Sequence, residues 1–426
     1  MPPSDMIVRG ALWEGEPVDL AVSDGRISRF EAAGALAGET ASEIIQAEGL
    51  VLLPGLIDCH VHLREPGQEY KEDITSGLQA AAAGGFQRVM AMANTVPVND
   101  SASVTRFMLQ RSRESHPEGP LLSPVGALTV GLQGHVLAPM HELKQAGCAA
   151  MSNDGQPVDN SDLFRRALEY SSDLGLRVID HCEDSALAGN GVMNEGSMSN
   201  TLGLPGQPTL AEAVQVSRDI LLAAHLDIPV HLAHISCRES VELLAWAKGK
   251  GVPVTAETCP HYLLWDEGRV QGYDSLAKVN PPLRTRDDVQ ALLQALREGI
   301  IDILATDHAP HAGHEKEVPF AEAPNGISGL DTALSLTWSL VEDGQLTEAD
   351  LVRLWCSGPA DIFGFDAPRL APGQPASLVL FDPGIVWRVS AETMHSKGKN
   401  TPCFGQELRG RVRSNFLAGR LIYQEK

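Results

Sequence analysis

Four histidines and two aspartates follow apolar segments of strand length, and their side chains are of the kinds that divalent metal ions bind. Two of the histidines are separated by one residue, and in an extended strand such imidazoles point to the same side. Imidazole nitrogens and carboxylate oxygens suit Zn²⁺ and similar ions. The candidate ligands are His60, His62, Asp154, His181, His234 and Asp307. If the fold gathers them, they could hold one ion or a pair about 3.5–4 Å apart.

Each candidate also has an ordinary structural explanation when it is taken alone. Asp154 precedes Gly155, a combination that is frequent in turns. A buried histidine is more often hydrogen-bonded than bound to a metal, and an aspartate after a strand often caps a helix. The metal-site hypothesis therefore depends on whether the fold brings all of these side chains together.

The middle of the chain alternates between apolar segments of strand length and segments with a helical spacing of apolar residues. The strand candidates are residues 56–61, 88–92, 121–125, 148–152, 176–179, 228–234, 252–256 and 301–305. Strand–helix units joined by right-handed crossovers predict an α/β fold, here a (β/α)8 barrel of the TIM type. The carboxyl ends of barrel strands surround one cavity, and the candidate ligands follow the first, fourth, fifth, sixth and eighth strands. A closed barrel would thus bring them together.

Both ends of the chain have short apolar runs broken by turn sequences such as Glu14-Gly15 and Asp24-Gly25, which are typical of β-hairpins. We interpret the ends as one small β-sandwich domain built from both termini. The predicted boundaries are 1–53 for its N-terminal part, 54–368 for the barrel and 369–426 for its C-terminal part.

The composition narrows the classes of partner and compartment. The 426 residues include 33 Lys and Arg and 55 Asp and Glu, a net charge of −22, which disfavours nucleic acids and anionic membranes as partners. No apolar run approaches the ~20 residues of a membrane-spanning helix, and residues 1–10 lack the pattern of a signal peptide. The 7 cysteines are odd in number and widely spread, which predicts a protein of the reducing cytoplasm.

Several motifs in chain order resemble those of dihydroorotase, a branch of the amidohydrolase superfamily. They are His60-Val61-His62-Leu63-Arg64-Glu65-Pro66-Gly67, Met92-Ala93-Asn94-Thr95-Val96-Pro97, Asp307-His308-Ala309-Pro310-His311 and Lys397-Gly398-Lys399-Asn400-Thr401-Pro402. Ala93 stands where relatives often carry proline, a change that affects the rigidity of the loop more than the use of Asn94. The resemblance implies a metal-dependent cyclic amidohydrolase that interconverts N-carbamoyl-L-aspartate and L-dihydroorotate in pyrimidine biosynthesis.

The same resemblance assigns roles to the residues. It implies that His60, His62 and Asp307 hold one metal, that His181 and His234 hold the other, and that Asp154 bridges the two. The cofactor would be one or two Zn²⁺ ions, and Asp307 would also transfer the proton. The substrate-binding residues would be Arg64, Asn94, Asn280 and His311. The forked guanidinium of Arg64 can clamp a carboxylate, which is independent support from its chemistry. Past the seventh strand, His261 is expected to support the site.

Two alternatives are weighed against this interpretation. Hydantoinases and allantoinases share the fold but usually carry a bridging carboxylated lysine, and no lysine lies between residues 149 and 166. An inactive relative that only supports aspartate carbamoyltransferase should have lost metal ligands, whereas every ligand position is filled here. We expect a homodimer, with association with aspartate carbamoyltransferase as a further option. Residues 312–324 are either a mobile lid or an ordinary surface loop.

Overall fold

The computed structural model describes residues 4–425. Strands from both ends of the chain pair into one mixed sheet. Its strands are β1 (Ser4–Trp13), β2 (Glu16–Ser23), β3 (Arg26–Ala32), β4 (Ala41–Gln46), β5 (Val51–Pro54), β16 (Leu378–Arg388), β17 (Glu407–Leu417) and β18 (Arg420–Gln424). Their order in the sheet is β18-β17-β16-β5-β1-β2-β3, with β4 paired to β1. The predicted turns at Glu14-Gly15 and Asp24-Gly25 connect β1 to β2 and β2 to β3, and all four residues have positive φ, as tight hairpin turns require.

Parallel strands form the barrel. They are β6 (Leu56–Val61), β7 (Phe86–Ala91), β8 (Leu121–Ala127), β9 (Ala150–Ser152), β10 (Arg177–Asp180), β13 (Val230–Leu232), β14 (Val254–Thr258) and β15 (Ile303–Leu304). Their order in the sheet is β15-β14-β13-β10-β9-β8-β7-β6. A parallel bridge between Val61 and His308 joins the first strand to the segment after the last one and closes the ring. The predicted barrel, with a β domain built from both termini, is therefore confirmed.

Helices connect the barrel strands and continue after the last of them, and many pack against the outer face of the barrel. They are α1 (Ile74–Ala83), α2 (Ala102–Ser115), α3 (Met140–Ala146), α4 (Ser161–Asp173), α5 (Ser185–Ala188), α6 (Ser197–Leu202), α7 (Thr209–Leu226), α8 (Arg238–Gly249), α9 (Pro260–Leu264), α10 (Arg286–Arg297), α11 (Gly313–Lys316), α12 (Ala333–Glu342), α13 (Glu348–Val352) and α14 (Gly358–Phe363). Two short strands, β11 (Met193–Asn194) and β12 (Gly206–Gln207), pair with each other between β10 and β13. A π-helical turn, Arg353–Ser357, separates α13 from α14.

Apolar packing divides between the inside and the outside of the barrel. Ile57, Met90, Val125, Ile179 and Ile303 come from five strands and belong to one buried cluster, which places them inside the ring. Alternate strand residues pack outward against the helices in the largest cluster of the chain. Because both faces of the parallel strands are buried, the strands read as continuous apolar runs in the sequence.

Two further predictions concern membranes and thiols. Among residues 4–425, no helix combines the length and the apolar composition that crossing a bilayer requires. All seven cysteines are buried free thiols. Cys59 and Cys182, which are next to the candidate ligands His60 and His181 in the sequence, are among them.

Candidate active site

The candidate metal ligands lie at the carboxyl ends of the barrel strands. His60 is within β6, His181 directly follows β10, and the others come one to three residues after β6, β9, β13 and β15. All six side chains are buried. Three site residues have positive φ, namely Arg64 (60°), His234 (35°) and Asp307 (45°). Such backbone conformations cost energy in residues other than glycine, and they concentrate at sites where the fold fixes the direction of a side chain.

Asp154 occupies the centre of this group. Its Oδ1 atom lies 3.3 Å from His60 Nε2, 3.5 Å from His234 Nε2 and 3.6 Å from His181 Nδ1. Its other oxygen, Oδ2, lies 3.5 Å from His62 Nε2. Both carboxylate oxygens therefore face histidine nitrogens, which is the placement a bridging ligand requires.

Asp307 completes the ring on the side of the paired histidines. Its Oδ1 atom lies 3.0 Å from His62 Nε2 and 3.6 Å from His60 Nε2. On the opposite side, His181 Nδ1 lies 2.8 Å from His234 Nε2. Two ligand groups result: His60, Asp154 and His234 in one, and His60, His62 and Asp307 in the other, with the ligand atoms of each group within 4.8 Å of one another.

The polar atoms of this cluster fit a metal centre. His60 Nε2 and Asp154 Oδ1 are buried and have no hydrogen-bond partner within the described part of the chain. A buried polar atom without a partner is costly, and a metal ion would satisfy both atoms at once. The donors are imidazole and carboxylate only, a set that suits zinc and related divalent ions.

The electrostatics of the cluster also favour a bound cation. Burial by itself lowers the pKa of His60, but the carboxylates of Asp154 and Glu257 outweigh burial and raise that pKa well above its usual value. Burial raises the pKa of Asp154, yet His60, His181 and His234 hold it well below the usual range. Negative charge is thus concentrated where a positive ion would be stabilised.

Glu257, a residue that the sequence analysis missed, orients His60 from inside the barrel. The Nδ1 atom of His60 donates to Glu257 Oε1 at 2.7 Å, and His231 Nε2 donates to Glu257 Oε2 at 3.1 Å. His231 in turn contacts the hydroxyl of Thr255 at 2.9 Å. A carboxylate on the far nitrogen of a ligating histidine fixes its tautomer and raises its basicity. The signal in the sequence was a carboxylate directly after the predicted strand 252–256.

Asn94 orients His62 by a similar contact. Its Oδ1 atom lies 2.8 Å from His62 Nδ1 and accepts that proton, which leaves Nε2 free to face Asp307. Asn94 also lines the cavity beside the cluster. Its predicted substrate contact therefore falls to the amide NH₂ group, because the carbonyl oxygen is already engaged.

The other predicted substrate-binding residues line the same cavity, which has a volume of about 200 Å³. Arg64 is buried, and its Nε donates to the carbonyl of Pro310 at 3.2 Å. His311 Nε2 donates to the carbonyl of Asn325 at 2.9 Å. Burial and the cations Arg64 and Lys71 lower the pKa of His311 to about 3, so its ring is neutral at ordinary pH. The cavity is thus lined by the guanidinium group of Arg64 and the neutral imidazole of His311.

Asn280 contacts a carboxylate that was also missed. Its Nδ2 atom donates to Glu183 Oε2 at 2.9 Å, and Gln207 donates to the same oxygen at 2.8 Å. Glu183 lies 3.7 Å from His181 Nε2, the nitrogen that faces away from Asp154. Glu183 therefore connects Asn280, a predicted substrate-binding residue, with one of the candidate ligands.

His261 lies close enough to the cluster for Asp307 and His234 to influence its charge. Burial lowers the pKa of His261 to about 4, and the ring is neutral at ordinary pH. This placement agrees with a supporting position beside the candidate ligands.

Comparisons with known proteins agree with this architecture. A family model described as Dihydro-orotase-like matches residues 49–240. The dihydroorotase of Geobacter metallireducens is 47% identical over 410 residues, covering 96% of each chain. That of Syntrophus aciditrophicus is 47% identical over 409 residues, covering 96% of this chain and 95% of the relative.

Solved structures show the same fold at lower sequence identity. The L-hydantoinase (dihydropyrimidinase) of Arthrobacter aurescens superposes with a TM-score of 0.86 at 23% identity, covering 99% of this chain and 96% of its own. The dihydropyrimidinase of Brevibacillus agri gives a TM-score of 0.81 at 23% identity, covering 98% and 95%. Identity at this level supports the fold alone, whereas nearly half of all positions agree with the curated relatives over almost the full length. The chain therefore belongs to the dihydroorotase family.

Proposed function

We propose that the protein catalyses the reversible cyclisation of N-carbamoyl-L-aspartate to L-dihydroorotate, with loss of water, in pyrimidine biosynthesis. The observation that carries the proposal is the ring of imidazoles and carboxylates around Asp154, with Arg64 lining the adjoining cavity. Family membership supports the choice of dihydroorotate over hydantoin or allantoin as the ring that is opened.

The cofactor in this proposal is Zn²⁺, as one or two ions per chain. His60, His62 and Asp307 would hold one ion, His181 and His234 the other, and Asp154 would lie between them. Bound ions of this kind act as Lewis acids, which make water more acidic and polarise a carbonyl. His60 Nε2 and Asp154 Oδ1 support this placement, because both are buried and neither has a hydrogen-bond partner among residues 4–425.

The protein's own residues bind the substrate and move the proton. Arg64 clamps the carboxylate of the ring, with Asn94 and His311 beside it, and Asn280 faces the ring from the loop that also contacts Glu183. In the hydrolytic direction, the carboxylate of Asp307 takes a proton from the attacking water. It delivers that proton to the ring nitrogen as the carbon–nitrogen bond breaks, and the biosynthetic direction reverses these steps.

Replacing Asp307 by Asn tests the assignment of the proton carrier. General acid–base groups typically contribute about 10²–10⁴-fold to a rate, so we expect kcat to fall by that order while KM changes little. Asp173→Asn, at the exposed end of α4, is the matched control and should retain full activity. Turnover of both variants is divided by the metal content of the purified protein. Normal turnover by metal-loaded D307N would refute the role of Asp307.

The substrate is tested by assaying dihydroorotate, hydantoin and allantoin with the same metal-analysed preparation. Activity on dihydroorotate is expected. Activity on hydantoin without activity on dihydroorotate would overturn the proposal, and a protein that binds metal but turns over none of the three rings would favour a supporting subunit without catalysis.

Compartment, assembly and domain limits complete the proposal. The seven buried free thiols support a reducing cytoplasm.

A homodimer is supported by the exposed apolar side chains of Leu210, Val214 and Leu221 on α7, and sedimentation analysis tests it. Association with aspartate carbamoyltransferase stays a prediction that co-elution of the two purified proteins tests. We keep 1–53, 54–368 and 369–426 as domain limits, supported by the pairing of β5 with β16.

A further inference from the structure

Part of the cavity wall consists of loops without regular secondary structure. Val279 and Asn280 come from one loop, and Asn325 and Gly326 from another. Loops are the more mobile parts of most folds, so a binding site built on them depends on whatever fixes their backbone. The side chain that joins these two loops comes from α11, in the segment 312–324.

Lys316 is buried, and its ammonium group donates three hydrogen bonds to backbone carbonyls. The acceptors are Pro324 at 2.7 Å, Ser275 at 3.1 Å and Lys278 at 3.2 Å. Lys278 lies two residues before Asn280, and Pro324 lies directly before Asn325. The carbonyl of Lys278 also accepts from the amide of Gly326 at 2.9 Å, so the two loops are joined at this point.

Lys316 takes part in none of the ion pairs among residues 4–425, whereas the adjacent Glu315 pairs with Lys71 at 2.9 Å. Burial and the neighbouring Lys278 lower the pKa of Lys316 to about 7, so the amine is only partly protonated near neutral pH, and its hydrogen bonds matter more than a permanent charge. In its protonated form Lys316 also acts on the cavity, because it contributes to lowering the pKa of His311.

The segment that carries Lys316 is attached to the rest of the protein at further points. Phe320 is buried in an apolar cluster with Met193 and Val270. The backbone around His311 is fixed from the other side by Asn400, whose Oδ1 accepts from the amide of His311 at 2.7 Å. The Nδ2 atom of Asn400 donates to the carbonyl of Gly326 at 2.9 Å. Both edges of the wall are thus held by buried polar side chains.

We propose that Lys316 is a positioning residue for substrate binding, and that its ammonium group fixes the loops of Asn280 and Asn325 as a permanent wall of the cavity. Residues 312–324 then serve as an anchor and not as a lid that opens in each catalytic cycle. This inference rests on the proposed function, because it takes the cavity beside Asp307 as the place where the substrate binds.

Lys316→Met tests the proposal, since methionine has a similar length but no donor and no charge. Hydrogen bonds to a charged group are strong, and we expect their loss to raise KM for dihydroorotate about 10-fold, with kcat per bound metal changing less than about 3-fold. A merely structural role would lower the fraction of active enzyme, and with it kcat, at unchanged KM. Lys248→Met is the matched control, because Lys248 bonds Asp302 and the Gly299 carbonyl before β15, at the other end of the barrel.

A second readout does not depend on activity. Glu317 and Glu322 are exposed, and a glutamate-specific protease followed by mass spectrometry reports how firmly their segment is held. We expect slow cleavage at these sites in the wild type and in K248M, and faster cleavage in K316M. Fast cleavage in the wild type that substrate suppresses would reveal a lid and overturn the proposal.

The two proposals fail in different ways. If the wild type turns over no dihydroorotate, the proposed function fails, and the cleavage experiment alone decides the anchoring role of Lys316. An unchanged KM in folded, metal-loaded K316M refutes the positioning role while the proposed function stands. If K316M does not fold, Lys316→Gln takes its place with the same expectation, and an unchanged KM in that variant overturns the proposal.

Discussion

Replacing Glu257 by Gln should weaken metal binding without disturbing the shape of the site. Glu257 is fully buried and accepts from His60 Nδ1 at 2.7 Å and from His231 Nε2 at 3.1 Å. Burial raises the pKa of Glu257, but His60 and His231 outweigh burial and hold it below its usual value, so the group is a carboxylate. Glutamine has the same size and can keep both contacts, and the perturbation is therefore the loss of one negative charge.

The hydrogen bonds can survive the substitution through a change of tautomer. The amide oxygen of Gln would accept from His60 Nδ1 and keep Nε2 of His60 available to a metal. The amide NH₂ would donate to His231 Nε2, and His231 would then donate through Nδ1 to Thr255, which lies 2.9 Å away. No buried donor or acceptor needs to lose its partner.

The size of the expected loss in metal affinity follows from the difference in strength between charged and neutral hydrogen bonds. Bonds to charged groups contribute about 1.5–3 kcal/mol and neutral ones about 0.5–1.5 kcal/mol, which leaves a difference of roughly 1–1.5 kcal/mol. Each 1.4 kcal/mol is about tenfold in an equilibrium constant, so we expect metal affinity to fall about 10-fold. This value lies at the lower end of the ~10–100-fold loss that is typical when the outer partner of a ligating histidine is removed.

Competition with a chromophoric chelator measures the metal affinity, and elemental analysis after dialysis confirms the occupancy. Asp19→Asn is the matched control: Asp19 is a buried carboxylate of the β domain that accepts from the amides of Gly10, Gly34 and Leu36. An E257Q protein that binds metal as tightly as the wild type would refute the reasoning. An equal loss in D19N would show that any buried charge in the fold has the same effect.

Three further outcomes are expected. Arg64→Lys keeps the charge but loses the fork, and we expect KM for dihydroorotate to rise about 10-fold; an unchanged KM would exclude a carboxylate clamp at Arg64. The pKa of His311 is lowered to about 3 in the folded protein, whereas an unfolded chain has an ordinary histidine pKa of ~6.5. As the pH falls below ~6.5, the imidazole therefore takes up a proton in the unfolded chain first. The folded protein then loses stability at up to about 1.4 kcal/mol per pH unit. Chemical denaturation between pH 6.5 and 5 should thus show a smaller loss in the free energy of unfolding for His311→Gln than for the wild type. Equal losses in the two proteins would contradict the lowered pKa of His311. Because the net charge is −22 and the substrate is an anion, kcat/KM should rise modestly as salt screens the repulsion, and a fall with salt would show that local attraction dominates.

The barrel was predictable because its strands are buried on both faces, and such strands appear in the sequence as apolar runs. Every predicted run overlaps an observed strand. Residues 102–115 were not predicted as α2, because this helix is largely polar and buries only Val104, Thr105, Met108 and Ser112. The strand β4 (Ala41–Gln46) was missed for a similar reason, since most of its side chains are exposed. Amphipathic patterning detects only elements that bury a continuous apolar face.

The candidate ligands were visible in the sequence because each lies at or shortly after the carboxyl end of a strand, but their supporting residues were not. Glu257 meets His60 across 197 positions of the chain, and no local pattern connects them. The contacts of Lys316 are backbone carbonyls, which every residue offers, so nothing in the sequence marks Ser275 or Pro324 as its partners. Periodicity and spacing identify residues at the mouth of a barrel, whereas the hydrogen bonds that fix them depend on how distant loops pack.

The acidic surface and the anionic substrate can be reconciled by the distribution of charge around the cavity. The net charge of −22 belongs to the whole molecule, but Asp154 and Asp307 would be neutralised locally by bound cations. Beyond them, Arg64 and Lys316 are buried basic side chains near His311, and both lower its pKa. A charge buried near a cavity is screened much less than one at the surface. The field that the substrate meets inside the cavity is therefore set by these two side chains and the metal, and the outer charge affects only its approach.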